Sequence, residues 1–174
     1  MIISSNLSVK TLEECEPGEL VRTLTGGQSL FTLVLTDPIV EQGGRRVVRV
    51  GLLEDHDDSR RKYSFLANAN RKVISFGTDW ALEPIAGDEM RHGNNAANHR
   101  SGRLTLSRQG YHLRFSSLPD DPFGDDVIFN LTDTAIVDQV GEDAVPLRGL
   151  RIWAKEADVT QQGAGHLLEF NIED

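Results

Sequence analysis

Short runs of alternating apolar and polar residues constrain this chain more than any other feature. Residues 19–24, 29–35 and 110–117 each place every second side chain on the same face of an extended strand. About a dozen such runs recur at a spacing near 8–12 residues, with turn-forming residues between them. This pattern is typical of an all-β protein with mostly antiparallel strands. It predicts a β-sandwich or a barrel.

Turn-forming residues between neighbouring runs predict several β-hairpins. Gly26-Gly27 separates the runs 19–24 and 29–35, and Arg108-Gln109 separates 102–107 from 110–117. Asn68–Arg71 separates 62–67 from 72–76, and its asparagines favour a tight turn. We therefore expect each pair of runs to form adjacent antiparallel strands.

Helical signals are confined to the N-terminal region. Residues 8–14 predict a short helical turn with Ser8 as its N-cap, ended by Pro17-Gly18. No crossover helices separate the strand candidates, which excludes a doubly wound α/β enzyme.

The chain length of 174 residues fits one compact β domain spanning 1–174. A weak internal repeat suggests that this domain arose by duplication. Four positions recur 84 residues later, and the two sets are Gly18, Gly26, Asp37, Pro38 and Gly102, Gly110, Asp121, Pro122. A Trp-Ala step occurs once in each half, at 80–81 and 153–154. The repeats would span 17–87 and 101–170, joined by the loop 86–101. The alternative is chance reuse of common turn residues.

Charge and termini narrow the classes of function. A formal net charge of −9 disfavours general nucleic-acid binding, because phosphate neutralisation supplies most non-specific affinity. The single cysteine, Cys15, excludes an intrachain disulfide and fits a reducing compartment. The N-terminus lacks a signal-peptide pattern and no window is apolar for long enough to span a membrane. We therefore expect a cytoplasmic location and no membrane contact.

The loop 86–101 is the first candidate site, because long loops rich in polar side chains are often functional. Its candidate ligand-binding residues are His92, Asn94, Asn95, Asn98, His99 and Arg100. The two histidines would also suit a metal or acid–base chemistry, although their spacing matches no established metal motif. The alternative interpretation is a solvated linker.

The acidic segment 54–58 is a candidate divalent-metal site through Asp55, His56 and Asp57. Consecutive residues of an extended chain point to opposite sides, so only about half of the segment faces one ion. The EF-hand pattern is absent, and the alternative is a charged hairpin tip. A second acidic segment, 118–126, has the same two interpretations.

A set of basic residues in the first half is the candidate nucleic-acid surface. Its members are Arg45, Arg46, Arg49, Arg60, Arg61, Lys62, Arg71 and Lys72, interleaved with Tyr63, Phe65 and Phe76. Sheet faces that combine aromatic and basic side chains hold single-stranded nucleic acid in other proteins. Strand alternation instead predicts that Tyr63 and Phe65 face the core while the charges face water.

The sequence contains no G-x-S-x-G elbow and no phosphate-binding glycine loop. We therefore predict a non-enzymatic binding or assembly module without a cofactor, acting on its own copies or another protein. One alternative is a metal-dependent hydrolase that uses His92 and His99 with the acidic loops. The second is a single-stranded nucleic-acid binder that uses the basic residues of the first half.

Overall fold

The computed structural model describes residues 7–25, 27–54, 62–85, 102–118, 125–147, 149–161 and 163–171. Fifteen strands occur within these ranges: β1 (Ser8–Thr11), β2 (Leu20–Thr25), β3 (Gln28–Val34), β4 (Ile39–Val40), β5 (Arg46–Leu52), β6 (Tyr63–Asn68), β7 (Lys72–Gly77), β8 (Ala81–Ile85), β9 (Leu104–Ser107), β10 (Gly110–Ser117), β11 (Val127–Asn130), β12 (Ala135–Val137), β13 (Val145–Pro146), β14 (Gly149–Trp153) and β15 (Leu168–Asn171). A 3-10 turn (Leu12–Glu14) and one short helix, α1 (Glu156–Thr160), complete the described elements.

The strands form two sheets. The larger sheet has twelve strands. Nine of them follow the path β1-β7-β2-β3-β5-β6-β10-β11-β12. Beside this path, β4 pairs with β5, β9 pairs with β10, and β13 pairs with β9. The smaller sheet has the order β15-β14-β8. Every described pair is antiparallel except β6 with β10, where Tyr63 lies opposite Ser116. The all-β, mostly antiparallel prediction is therefore confirmed. The described strands do not close into a barrel, because the path ends at β1 and β12.

Two groups of strands within the larger sheet share one order. The first β unit consists of β7-β2-β3-β5-β6, and the second β unit consists of β13-β9-β10-β11-β12. The two units meet where β6 pairs with β10. They meet again in the smaller sheet, where β8, which follows the first unit, pairs with β14, which follows the second.

The main core lies between the two units. It joins apolar side chains of β2 and β3, such as Leu20 and Leu33, to Leu113, Phe115 and Phe129 of the second unit. A separate core lies on the other face of the first unit and contains Val21, Val34, Val48, Val50, Ala67 and Val73, covered by Leu12 and Cys15. Strand alternation explains this division, since successive side chains of β2 and β3 enter different cores.

The N-terminal region differs from its prediction. Residues 8–11 form strand β1 rather than the start of a helix, so Ser8 is not an N-cap. Helical backbone is confined to Leu12–Glu14, where the Glu14 carboxylate accepts the backbone N–H of Thr11 at 2.6 Å and its hydroxyl at 2.8 Å. The predicted short N-terminal helical turn is present, but it begins after an edge strand.

Two of the three predicted hairpins are confirmed, and one is wrong. β2 pairs with β3, and β9 pairs with β10, across the expected turns. β6 and β7 flank the Asn68–Arg71 turn, but β6 pairs with β5 and β10 whereas β7 pairs with β1 and β2. The turn thus connects two strands that are four places apart along the path of the sheet. The helix α1 was not predicted.

The two Trp-Ala steps lie at the paired strands of the smaller sheet. Trp80 directly precedes β8, and Trp153, the last residue of β14, lies opposite Ala81. The proposed repeat stays a prediction. In the part of the chain that the structure describes, no helix is long and apolar enough to cross a bilayer.

Candidate ligand-binding cavity

The sequence-predicted loop and acidic sites lie outside the described residues. This applies to His92, Asn94, Asn95, Asn98, His99 and Arg100, and to Asp55, His56 and Asp57. Among the residues that the structure does describe, no three His, Cys, Asp or Glu side chains are grouped to hold a metal ion. Both earlier site assignments stay predictions.

A cavity of about 210 Å³ lies at the junction of the two β units. Four separate stretches of the chain line it, and they contribute Gly18, Thr78, Trp80, Leu82, Tyr111, Leu131, Thr132 and Thr134. The wall is mixed: two aromatic residues and two leucines supply apolar surface, and the polar surface is nearly as large. The lining includes three exposed threonines. We call this space the junction cavity. Small-molecule sites are typically concave and apolar, with a few polar groups that orient the ligand.

Trp80 forms one wall of the junction cavity. The indole N–H donates a 2.8 Å hydrogen bond to the carbonyl oxygen of Gly18, which links the segment before β8 to the segment before β2. The half-buried ring also packs against the main core. Trp80 therefore both packs on the core and lines the cavity.

Another part of the wall is the four-residue turn 131–134 between β11 and β12. The Asn130 side chain holds this turn through four hydrogen bonds. The Asn130 amide group donates to the Gln109 carbonyl at 3.0 Å and to the Asp133 carboxylate at 2.9 Å. Its side-chain oxygen accepts the backbone N–H groups of Thr132 at 2.9 Å and Asp133 at 3.2 Å. Asn130 is 2% exposed, and both the oxygen and the nitrogen of its amide group are hydrogen-bonded. These bonds fix the conformation of the turn.

Thr134 ends this turn in an unusual backbone conformation. Its φ of 51° lies in the left-handed region, which β-branched residues rarely adopt. A Cβ built on Gly18 would lie 2.6 Å from the Thr134 methyl carbon, so the absence of a side chain at Gly18 admits the threonine. Gly18 itself has a φ of 86° and donates its N–H to Val34 at 2.8 Å. The cavity wall therefore depends on a close approach between a glycine and a strained threonine.

Tyr111 connects strand β10 to this turn through two hydrogen bonds. The Tyr111 backbone N–H donates to the Thr132 hydroxyl at 3.3 Å, and the Leu131 N–H donates to the Tyr111 carbonyl at 2.8 Å. A Cβ on Gly110 would lie 2.1 Å from the Thr132 hydroxyl oxygen, so glycine is required beside this contact. The sequence indicated turns at these positions but no site, because the lining residues are scattered along the chain.

His112 lies behind the turn, on the face of β10 opposite Tyr111. It is 1% exposed, and no hydrogen bond of good geometry reaches either ring nitrogen among the described residues. Burial lowers the pKa of His112 below its ordinary value, against the opposing effects of the Gly110 carbonyl and the Asp133 carboxylate. The register places His112 directly opposite Asn130 and Thr105.

The described basic residues of the first half do not all face solvent. Arg46 pairs with Glu13 at 2.7 Å, and Lys62 is buried. Tyr63 is 3% exposed and belongs to a small apolar cluster, so it offers no stacking surface. The prediction that Tyr63 faces the core is confirmed, but the prediction that the charges face water is wrong for Lys62, which is 3% exposed.

The single cysteine is also unsuited to nucleophilic chemistry. Cys15 is buried and donates to the Thr11 carbonyl at 3.4 Å. Burial is the main cause that raises the pKa of its thiol to about 12, and the Glu19 carboxylate adds to the effect. Because the thiolate is the reactive form, this residue is chemically inert near neutral pH.

Comparison of the chain with protein-family models, with curated proteins and with solved structures found no match in any of the three.

Proposed function

We propose that this protein is a non-enzymatic binding module whose ligand is a small organic molecule held in the junction cavity. The observation that carries the proposal is the cavity itself, with an aromatic and aliphatic wall and three hydroxyl groups. This composition suits recognition, because apolar surface supplies affinity while a few polar groups fix orientation.

The side chains that line the cavity support binding rather than catalysis. No Asp, Glu, His, Lys or Arg is among the described lining residues, so they supply neither a general base nor an oxyanion-stabilising cation. The buried Glu19 lies in the first unit and accepts from Lys10 at 2.8 Å, which makes it part of a structural network. Cys15 is inert for the reason given above.

Binding to a macromolecule is the second form of this proposal. Three exposed apolar side chains share one face of neighbouring strands: Val9, 73% exposed, lies opposite Ile74, and Leu24 projects from β2. β1 ends the strand path, and edge strands of this kind favour pairing between copies. Self-association through this face is expected to give a stable dimer in light scattering, and a monomer of 19.3 kDa would contradict it.

The hydrolase and nucleic-acid alternatives have less support. The residues proposed for the hydrolase lie outside the described part of the chain. Tyr63 is buried in the core, and Arg46 is paired with Glu13. Neither position favours a nucleic-acid surface. A cytoplasmic location remains part of the proposal, supported by the single buried cysteine.

The test is a thermal-denaturation screen of the full chain against a panel of water-soluble metabolites. A ligand that binds only the folded state raises the melting temperature by mass action. Thr78→Phe places a large ring at the cavity wall, and Thr160→Phe makes the same change on α1, outside the cavity lining.

We expect at least one compound to stabilise the wild type and Thr160→Phe by several degrees while leaving Thr78→Phe unchanged. The proposal is wrong if every stabilising compound acts equally on all three proteins, or if none acts on the wild type. Each variant is first checked for an unchanged circular dichroism spectrum.

A further inference from the structure

The chemistry of the junction cavity selects one class of ligand. Resting on the binding function proposed above, we propose that it takes an uncharged molecule built on a single planar ring that carries a hydrogen-bond acceptor. The charge, volume and hydroxyl groups of the cavity and the conformation of Thr134 favour this class of ligand.

The charge of the lining disfavours ionic ligands. The described lining offers no side chain of opposite charge to either an anion or a cation. An ion that gives up part of its water shell here gains no opposite charge in return. The net charge of −9 further disfavours anions.

Volume and shape favour one flat ring. The cavity holds about 210 Å³, and an apolar cavity of about 150 Å³ is enough to accept benzene. The Trp80 and Tyr111 rings supply aromatic surface, which prefers offset-stacked or edge-to-face contact with another ring. Leu82 and Leu131 complete the apolar part of the wall. A substituted monocycle fits this space, whereas a nucleotide is too large.

The polar groups of the wall favour an acceptor on the ligand. The Trp80 N–H is already engaged by the Gly18 carbonyl, so it does not donate to the ligand. The Thr132 hydroxyl oxygen accepts from the Tyr111 N–H, which leaves its own O–H as a donor. Thr78 and Thr134 are also lining residues, and a threonine hydroxyl can donate as well as accept. A ring oxygen, hydroxyl or carbonyl group is therefore the complementary substituent.

Thr134 is a strained residue in the cavity wall, and its backbone conformation lowers the stability of the fold. Glycine or asparagine would occupy a left-handed turn position with less strain. The threonine instead places its methyl group against Gly18 and contributes to the cavity lining. Strained residues of this kind concentrate at ligand sites, where the surrounding structure holds them. We assign Thr134 as a positioning residue for the ring.

The experiment uses the full chain labelled with 5-fluorotryptophan, which gives one fluorine signal for Trp80 and one for Trp153. Trp153 does not line the cavity, so it serves as an internal control. The probes are phenol, benzoate and benzylammonium, which share a ring and differ in charge at pH 7. We expect phenol to shift only the Trp80 signal, with a Kd on the order of 1 mM. The charged probes should bind at least about tenfold more weakly.

Thr134→Gly tests the positioning role. We expect its melting temperature to rise by roughly 2–4 °C, because the strain is relieved. Its affinity for phenol should fall about fivefold, since the wall loses the methyl group that packs against Gly18 and positions the turn. Thr134→Asn, which also tolerates the left-handed conformation, should behave in the same way. Equal or tighter phenol binding by both variants would contradict the assignment.

The outcomes separate this inference from the binding function. If benzoate or benzylammonium binds as tightly as phenol, the ligand class is wrong while the cavity remains a binding site. If phenol leaves Trp80 unmoved but a metabolite stabilises the wild type and not Thr78→Phe, only the ligand class fails. If neither experiment detects cavity-dependent binding, both proposals fail.

Discussion

The two β units share a strand order but differ in what they bury. The backbone registers superimpose Leu20 and Leu33 of the first unit on Leu104 and Leu113 of the second. Gly18 and Gly102 then correspond, with φ values of 86° and 80°. Each donates its N–H to the hairpin partner strand of its own unit, to Val34 at 2.8 Å and to Arg114 at 2.7 Å.

The face opposite the main core shows the difference. The first unit places Val21, Val34 and Val50 there, where they form a closed apolar cluster. The corresponding positions of the second unit are Thr105, Arg114 and Ile128. The same backbone thus supports an apolar interior in one unit and a polar one in the other. The second unit also supplies the turn 131–134 that lines the junction cavity.

The internal duplication stays a prediction. The shared strand order and the two corresponding glycines support it. Asp121 and Pro122, which belong to the repeat pattern, lie outside the described residues. If the units are related, the second has acquired polar groups at positions where the first retained valines.

The largest expected effect comes from separating the units. Phe115 is fully buried, and a Cβ built on Gly51 would lie 2.5 Å from its ring, so the second unit packs directly on the first. Phe115→Ala should lower the free energy of unfolding by about 3–5 kcal/mol, measured by urea denaturation. Phe65→Ala, at a half-buried position, is the control and should cost less. An equal loss in both variants would show that this contact does not dominate the junction.

Glu19 provides the next contrast, because the second unit has Arg103 at the corresponding position. Glu19 is 2% exposed and accepts from Lys10 at 2.8 Å, from the Glu16 N–H at 3.0 Å and from Ser75. Glu19→Gln should cost about 1–3 kcal/mol, because the buried network loses a charge-assisted partner. Hydrogen exchange should show faster opening of β1, to which Lys10 belongs. Unchanged exchange in β1 would contradict this role.

The pH dependence of the same group has a definite sign. Burial is the largest effect on the Glu19 pKa and raises it, but the hydrogen bonds from Lys10, Ser75 and Glu16 together lower it below its ordinary value. Its contribution to stability is therefore present above the unfolded-state pKa and is lost as the pH falls through the lower folded-state value. The wild type should lose more stability than Glu19→Gln on acidification below about pH 4.5.

The strands were predictable because their signals are local. Alternation and turn residues identify runs such as 29–35 and 110–117 without knowledge of the rest of the chain. The pairing of β7 with β2 was not predictable in this way, since it depends on how the larger sheet curves. The Asn68–Arg71 turn has hairpin chemistry, yet its two strands pair with other partners.

The candidate cavity was not predictable for a related reason. Gly18, Trp80, Tyr111 and Thr134 are far apart in the sequence, and none belongs to a motif. The sequence pattern indicated Gly18 as a position of the proposed repeat and Trp80 only as part of a Trp-Ala step. Their hydrogen bond depends on the packing of segments that are 62 residues apart. The strain at Thr134 leaves no sequence signal beyond a turn.

His112 tests whether the polar interior of the second unit affects stability. Thr105, Asn130 and Asp133 lie near it from the neighbouring strands and turn, and Arg114 follows on its own strand with Asp126 as an ion-pair partner. Burial lowers the pKa of His112, so between the two pKa values the unfolded chain binds more protons than the folded one. Stability should therefore decline as the pH falls below about 6.5.

The slope from His112 should not exceed about 1.4 kcal/mol per pH unit, which is the limit for one proton. His112→Thr, which copies the corresponding Thr32 of the first unit, should remove this decline between pH 7 and 5. His166→Thr is the matched control, because His166 is an exposed residue outside both units. If His112→Thr retains the wild-type slope, another group causes it.

The smallest effect is expected from the two tryptophan N–H groups. Trp80 donates to a backbone carbonyl, whereas Trp153 donates to the Glu83 carboxylate at 3.1 Å. Trp80→Phe should cost about 0.5–1.5 kcal/mol, the usual net value for a neutral hydrogen bond, and Trp153→Phe should cost more because its acceptor is charged and its ring is more buried. Chemical denaturation of both variants gives the comparison. A larger loss at Trp80 would mean that its bond to Gly18 stabilises the junction of the units beyond the hydrogen bond alone, and that the cavity wall is part of the folding core.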